Sequence, residues 1–320
     1  MPARAPTRPL QATAAAPASI GNVAVGYDVL GQVLAIGVHD RVTVRRTERP
    51  GVRIEAITGA TGLPTDPAHN TATAGLLDLC AARDLPHGLA VSIDKGIPLS
   101  AGLGGSAASA VAGVWAAGAL LDPPLSRDEA FRYALAGEAV ASGDWHPDNV
   151  APALYGGLVL TRDMERPDVL RLPVPDGLSC VVAHPTLTIN TRDARACVPP
   201  TVPIRTATQQ MADLGGLVAG CYTNDLPLVG RALRDGLAEP HRERLLPGFA
   251  AIKQAALQAG ALGGSFAGAG PTMFMWCPAA AAADVAAALQ GAMTAAGYAV
   301  STWTSAVDGP GVRCVASPAD

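Results

Sequence analysis

The spacing of hydrophobic positions changes several times along the chain, and each change predicts an element. Val42 and Val44, then Val52, Ile54 and Ile57, sit in short β-prone runs broken by Pro50-Gly51, which predicts two strands. From 70 to 83 the apolar residues Leu76, Leu77 and Leu79 gather on one side of a helical wheel. The run 88–93 is a further strand. A Gly-rich loop at 99–105 then leads into an Ala-rich helix from about 106 to 121. Ser126 and Glu129 have the spacing of a capping box, so another helix is predicted to run to about 140.

Strands are also predicted at 156–160 and 179–184. Thr206 with Gln209 opens a helix, and Asn224, Pro227 and Gly248 punctuate the helical segments that follow. Stretches 265–277 and 299–305 are strand-like and flank a helix at 279–296. Strands and helices mixed in both halves, without a regular βαβ repeat, predict an α+β protein. The Pro-rich stretch 167–175 is the predicted boundary. It divides the chain into 12–166 and 167–316, behind a short disordered tail at 1–11, and 320 residues suit two domains.

Composition narrows the function. Hydrophobic residues make up 49% of the chain and charged residues 16%, enough for a sizeable core. A net charge of -4 and the lack of any Lys/Arg run argue against nucleic acid as a partner, so an anionic ligand needs a few placed residues. Six cysteines (Cys80, Cys180, Cys197, Cys221, Cys277, Cys314) stand far apart with no C-x-x-C pair, which fits free thiols in a reducing, cytoplasmic setting. The first ten residues carry two Arg and three Pro with no apolar stretch behind them, unlike a secretory signal. The most apolar segment, 279–296, is interrupted by Asp284 and Gln290 and is expected to pack as a helix within the protein, with no membrane partner.

Four segments carry candidate chemistry. The first is Pro98-Leu99-Ser100-Ala101-Gly102-Leu103-Gly104-Gly105-Ser106-Ala107-Ala108-Ser109. Glycines just before an apolar helix allow a tight loop whose amides converge on an anion, assisted by the helix dipole, and Ser106 is expected to cap that helix. There is no Walker A lysine and no dinucleotide-type G-x-G-x-x-G, so a P-loop or Rossmann site is disfavoured. The second is 263–272, ending Gly268-Ala269-Gly270-Pro271-Thr272, whose small residues let backbone pass close to a ligand or to the first loop; by itself it is also a hairpin connection. The third, 16–28, places Asn22 and Asp28 in an apolar run, where short polar residues serve as turn formers or as ligand contacts. The fourth, Ser142-Gly143-Asp144-Trp145-His146-Pro147-Asp148-Asn149-Val150-Ala151-Pro152, is expected as a rigid polar loop with Glu138 upstream on a helix end. One His beside one carboxylate is a weak zinc signature.

These segments occur in the order and spacing of the GHMP kinases, which the chain resembles from about residue 12 to 315. Three of them resemble the family's P-A-S…G-N…G-x-D start, its P-x-x-x-G-L-G-x-S-A loop and its late G-x-G-P-T loop. Within the family the chain is similar to the branch that phosphorylates the side-chain hydroxyl of L-homoserine. That likeness rests on 146–152, on Thr191-Arg192-Asp193-Ala194-Arg195, and on 239–248, which contains Arg242.

The resemblance implies a two-domain fold, an α+β N-terminal half that binds nucleotide and a ferredoxin-like C-terminal half, with ATP and Mg²⁺ as cofactors and a homodimer as the usual assembly. It implies that Pro98 through Ala107, with Ser109, wraps the ATP phosphates, that Asn70 lies beside the adenine, and that Ser106 and Glu138 hold Mg²⁺. Asn22 and Asp28 are expected near the acceptor hydroxyl, with Asn149 in place of the catalytic Asp of some relatives. His146 and Asp148 are expected at the amino-acid end, Asp148 on the ammonium, with Arg195 and Arg242 clamping the carboxylate and Thr191 and Gly268 close by. Planar guanidinium forks suit a carboxylate through paired hydrogen bonds.

Three places depart from the family pattern: Ile20-Gly21-Asn22 stands for S-A-N, Gly105 for a serine, and Ala267-Gly268-Ala269 for S-G-S. Each loses a hydroxyl and keeps a small residue. Two other readings remain open from the sequence. A mevalonate-type kinase would leave Asp148 without an ammonium, and a silent metabolite sensor would have no use for Ser106 and Glu138.

Overall fold

The computed structural model describes residues 9–143, 145–163 and 167–316. The chain opens with strands β1 (Gln11–Pro17), β2 (Ser19–Gly21), β3 (Leu30–Val33), β4 (His39–Thr47) and β5 (Val52–Thr58). Helix α1 (Thr71–Ala82), strand β6 (Gly88–Asp94) and helices α2 (Gly105–Gly118), α3 (Arg127–Ser142) and α4 (Pro147–Tyr155) follow. Strands β7 (Leu158–Asp163), β8 (Asp168–Leu172) and β9 (Leu178–Pro185) lead to helices α5 (Thr191–Ala196), α6 (Ile204–Thr223), α7 (Leu226–Ala232), α8 (Glu239–Arg242) and α9 (Phe249–Gln258). The chain ends in β10 (Gly263–Phe266), β11 (Met273–Pro278), α10 (Ala282–Ala295), β12 (Val300–Ala306) and β13 (Arg313–Val315).

Among the described residues the strands form three sheets, in the orders β13-β1-β4-β6-β5, β2-β3-β7-β8 and β10-β11-β9-β12. In the first sheet only β5 runs parallel to its neighbour, because α1 carries the chain back across the sheet before β6. Helix α2 packs on β1 and β4. Both surfaces are built from small residues: α2 buries Ala107, Ala108, Ala110 and Gly113, and β1 buries Ala14 and Ala16. Small residues let the helix approach closely, so the Ala-rich stretches have a packing function.

The third sheet is wholly antiparallel, and the two faces of its strands enter different cores. Cys180, Val182, Phe274 and Trp276 face the main core, while the alternate residues Val181, Ala183, Met273 and Met275 join α9 and α10 in a second. Trp276, fully buried, donates its indole N–H to Gln32 on β3 at 2.7 Å, which joins the third sheet to the second.

The α+β class is as expected, and the family's ferredoxin-like half corresponds to the antiparallel sheet covered by α9 and α10. Several boundaries differ. The Pro-rich stretch 167–175 is not a linker: it contains β8, which pairs with β7. Residues 313–315, assigned to the second half, return as β13 to pair with β1. Gln11, placed in the tail, begins β1; residues 1–8 of that tail lie outside the described residues, as do 164–166 near the boundary. The segment 147–152, expected as a loop, is most of α4, with Pro147 at its first turn and Pro152 inside. Pro147 needs no N–H there, which is why a proline-marked sequence can still be helical. Helix α6 starts at Ile204 behind Pro203 without a side-chain cap, so Thr206 does not open it. The capping box of Ser126 and Glu129 forms as expected. All six cysteines are free thiols, and among the described residues no helix is long and apolar enough to cross a membrane.

Candidate active site

The Gly-rich loop joins β6 to α2, and its backbone is coiled by alternating left-handed residues: Ser100, Gly102 and Gly104 have φ of 54°, 77° and 65°. Such alternation turns successive amides inward, the geometry of an anion nest. No side chain caps α2. Ser106, expected as that cap, instead lies inside the first turn because Gly104 takes the cap position, and its hydroxyl donates to Glu138 Oε1 at 3.0 Å.

The second Gly-rich loop packs directly on the first. A Cβ at Gly102 would lie 2.3 Å from the carbonyl oxygen of Ala267, so this contact requires glycine. A Cβ at Gly104 would lie 2.1 Å from Ser19 Oγ.

The N-terminus of α4 is seated on glycines in the same way. A Cβ at Gly21 would lie 2.3 Å from Asp148 Oδ2, and one at Gly31 would lie 1.9 Å from the Asp148 carbonyl. Gly21, where the family pattern has alanine, therefore brings Asp148 onto β2. Asp148 Oδ2 accepts the Asn22 amide at 2.9 Å, and Asn149 Oδ1 accepts Ser19 Oγ at 3.0 Å. Burial pushes the Asp148 carboxyl up to about 7, with the Asp28 carboxylate adding to the shift and Arg195, the Asn22 amide and Arg242 opposing it. Burial likewise pushes Glu138 up to about 8, against the Ser106 hydrogen bond.

Two arginines complete the site. Arg242, buried at the end of α8, donates Nε–H to the Ala194 carbonyl at 3.1 Å and Nη1–H to the Gly268 carbonyl at 2.9 Å. Gly268 also accepts Asn22 Nδ2–H at 3.1 Å, so one carbonyl ties the start motif to the arginine. Helix α8 is held by Asp235, whose carboxylate accepts the amides of Leu237, Ala238 and Glu239. Arg195, on α5, makes two hydrogen bonds to Asp28, and both guanidinium carbons lie within 6 Å of the Tyr27 ring centroid, at 5.9 Å (Arg195) and 5.6 Å (Arg242).

One cavity of about 540 Å³ gathers these groups. Its wall contains Asn70, every residue from Pro98 to Ser106, Ser109 and Glu138. It also contains Asn22, His146, Asp148, Asn149, Thr191, Arg195, Arg242 and Gly268. Asp28 is not on that wall. Its carboxylate stands behind Arg195, so the residue expected beside an acceptor hydroxyl reaches the cavity only through the arginine. Ala107 is also off the wall, fully buried in the helix packing. Asn70 caps α1 by accepting the Ala72 amide, and its Nδ2–H donates to Pro64 at 2.8 Å. Asp144 of the fourth motif lies outside the described residues.

Sequence reasoning missed Lys95 and Asn190, both on the cavity wall, and Tyr27 behind it. Lys95 follows directly on strand β6, and nothing in its local pattern separates it from a surface lysine. Among the described residues no three His, Cys, Asp or Glu side chains gather as metal ligands. The Ser106 hydroxyl and the Glu138 carboxylate are hard oxygen donors on one wall beside the loop. That set fits Mg²⁺, which prefers oxygen ligands and keeps several waters.

Residues 70–157 match the family model of the GHMP kinases N terminal domain, and 217–295 match that of the GHMP kinases C terminal. A homoserine kinase of Xylella fastidiosa (strain M12) is 48% identical over 305 residues, covering 95% of this chain and 94% of its own. A homoserine kinase of Xanthomonas campestris pv. campestris (strain B100) is 47% identical over 308 residues, covering 96% and 94%. The crystal structure of homoserine kinase from Cytophaga hutchinsonii superposes with a TM-score of 0.92 at 38% identity, over 97% of this chain and 98% of that one. With relatives this similar over nearly its full length, the chain belongs to the homoserine kinase family of the GHMP kinases.

Proposed function

We propose that the protein transfers the γ-phosphoryl group of ATP to the side-chain hydroxyl of L-homoserine, giving ADP and O-phospho-L-homoserine for threonine biosynthesis. The observation that carries this reading is the composition of one cavity. Two guanidinium groups and a buried carboxyl, Arg195, Arg242 and Asp148, share it with a glycine-rich anion nest and the Ser106–Glu138 pair. A zwitterionic amino acid needs fixed cations for its carboxylate and a fixed anion for its ammonium. Mevalonate has no ammonium to meet Asp148, and a sensor would not need Ser106 and Glu138 together.

In this mechanism the loop amides of 99–105 hold the phosphates and neutralise oxygens as charge redistributes in the transition state. Ser106 and Glu138 would hold Mg²⁺, which would supply electrostatic stabilisation to the phosphate oxygens. Arg195 and Arg242 take the homoserine carboxylate, and Asp148 takes its ammonium, which leaves the side-chain hydroxyl as the free end. Asn22 and Asn149 flank that end through their amide groups. Phosphoryl transfer has a loose transition state, so alignment counts for more than proton abstraction, and holding hydroxyl and phosphate in line supplies roughly 7–11 kcal/mol. No strong base is required. Asp28 acts by orienting Arg195, with which it is paired. Free thiols suit a cytoplasmic setting.

The test is incubation with Mg-ATP and a panel of small alcohols, followed by phosphorus NMR. A phosphomonoester signal is expected with L-homoserine. Turnover of mevalonate in preference to homoserine would overturn the assignment.

A further inference from the structure

Beneath the glycine-rich loop lies a buried ion pair that none of the roles above uses. The side chains of Lys95 and Asp40 are 4% and 0% exposed. Lys95 Nζ donates to Asp40 Oδ2, to Ser109 Oγ at 2.8 Å and to the Gly105 carbonyl at 2.9 Å. Ser109 Oγ in turn donates to Asp40 Oδ2 at 2.6 Å. The other carboxylate oxygen of Asp40 accepts the amides of Gly96 at 3.1 Å and Ile97 at 3.0 Å.

These contacts fall at the two ends of one loop. Gly96 and Ile97 are where the chain leaves β6, and Gly105 and Ser109 are where it enters α2. Asp40, on the neighbouring strand β4, grips the entry directly and the exit through Lys95 and Ser109. The three side chains therefore form a bridge across the base of the loop, and the loop's left-handed residues lie between its ends.

Stability is a weak reason for such a pair, because well-packed apolar residues of similar volume often do as well or better. Placement is the stronger reason. A cation at a helix N-terminus opposes the helix dipole, and here Asp40 neutralises it. Lys95 also lines the cavity, so its charge lies beneath the site to which the loop amides draw an anion. We propose that Asp40, Lys95 and Ser109 are positioning residues that hold the glycine-rich loop in its phosphate-binding conformation, so that ATP recognition depends on them more than the fold does. This inference rests on the reading of the loop as the ATP site.

The experiment compares wild type, the charge-balanced double variant Asp40→Asn with Lys95→Met, and Ser109→Ala. Asn at 40 keeps an acceptor for the Gly96 and Ile97 amides, and Met at 95 keeps the length of the lysine stem. In the double variant the KM for ATP should rise about tenfold, since sub-ångström misplacement of a binding group is costly. The KM for homoserine should stay within about twofold of wild type, and Ser109→Ala should move the same way by a smaller factor. A folded double variant with an unchanged ATP KM, or with both KM values raised together, would overturn the proposal. If the double variant does not fold, Ser109→Ala decides alone, and an unchanged ATP KM there overturns it. Equilibrium titration of wild type with Mg-ATP separates the two readings: absence of binding would withdraw the ATP site itself, and the bridge's role with it.

Discussion

Asp28 and Arg195 are joined side by side, with Arg195 Nη2 donating to Asp28 Oδ1 at 2.7 Å and Nη1 donating to Oδ2 at 3.2 Å. The pair spans the start motif and helix α5, and Arg195 also lines the cavity wall. A charged hydrogen bond to a ligand is worth about 1.5–3 kcal/mol, roughly ten- to a hundredfold in affinity. Arg195→Ala should therefore raise the KM for homoserine by that factor and leave the KM for ATP nearly unchanged. Asp28→Asn should shift the homoserine KM in the same direction by less, because the fork remains but loses its charged partner. Steady-state kinetics with each substrate varied in turn checks this. Equal loss of both affinities would sink the clamp.

The Asp148 carboxyl, raised to about 7 by burial, sets a pH dependence with a definite sign. Between its ordinary value near 3.8 and about 7, the native ligand-free protein holds a proton that the unfolded chain has released. Its contribution to stability is thus fully present below the unfolded pKa and is lost as pH rises through about 7, at up to about 1.4 kcal/mol per pH unit. Asp28, Glu138, Arg195 and Arg242 surround the group and modulate the slope. An ammonium favours the ionised carboxylate, so the KM for homoserine should fall as pH rises towards about 7 and level off above it. Asp148→Asn should flatten the homoserine KM curve and reduce the fall of the stability curve, the remainder of which comes from the buried Glu138 carboxyl. Thermal midpoints and homoserine KM between about pH 5 and pH 8 test it.

The contact between the two glycine-rich loops predicts a sharp contrast among glycines. Gly102→Ala places a Cβ 2.3 Å from the Ala267 carbonyl oxygen, and backbone cannot move aside as a flexible side chain can. Strain there should cost about 1–3 kcal/mol and raise the KM for ATP. Gly62 has nearly the same φ, 76° against 77°, but nothing within 4 Å of a Cβ. Gly62→Ala should cost only the left-handed backbone strain, roughly 1–2 kcal/mol, without a clash, and leave both KM values unchanged. Denaturant melts beside kinetics distinguish the two.

Much of this was legible in the sequence where local rules operate alone. The Ser126–Glu129 capping box, the helix capped by Asn70 and the valine-rich strands all follow from side-chain period or capping. Strand β1 was not legible, because Ala14, Ala15 and Ala16 carry little strand propensity, and Ala14 and Ala16 serve the close packing of α2. Helix α4 was hidden by Pro147, which a first turn tolerates, and by Pro152, which lies inside the helix where local rules predict a break. The turn after β2 places Asn22, Val23 and Ala24 at φ of 69°, 42° and 60°, a conformation that tertiary contacts impose and no residue preference announces. The cavity residues carried by the glycine-rich and arginine motifs were identifiable. Lys95 and Asp40 were not, since 55 residues separate them and only the pairing of β4 with β6 brings them together.

Glu138 separates catalysis from stability in one position. Its carboxyl is buried on the cavity wall beside Ser106 and pushed up to about 8, so in the ligand-free protein it is protonated at neutral pH. Glu138→Gln keeps the size of the side chain and an acceptor for the Ser106 hydroxyl, but it can never become an anion. At neutral pH wild type must take up a proton at Glu138 on folding, which the glutamine does not need, so the variant should be at least as stable as wild type and its stability should fall less steeply as pH rises. A cation bound beside Glu138 lowers the carboxyl's pKa by favouring its ionised form, and the glutamine cannot respond. The variant should need more Mg²⁺ to reach half-maximal rate, and kcat should fall by roughly a hundredfold as electrostatic stabilisation of the transferring group is lost. Rates titrated with Mg²⁺, read beside thermal midpoints, check both halves. An unchanged kcat with an unchanged Mg²⁺ requirement would remove Glu138 from the metal site, whereas a collapse in stability at neutral pH would show the carboxyl to be ionised in the free protein.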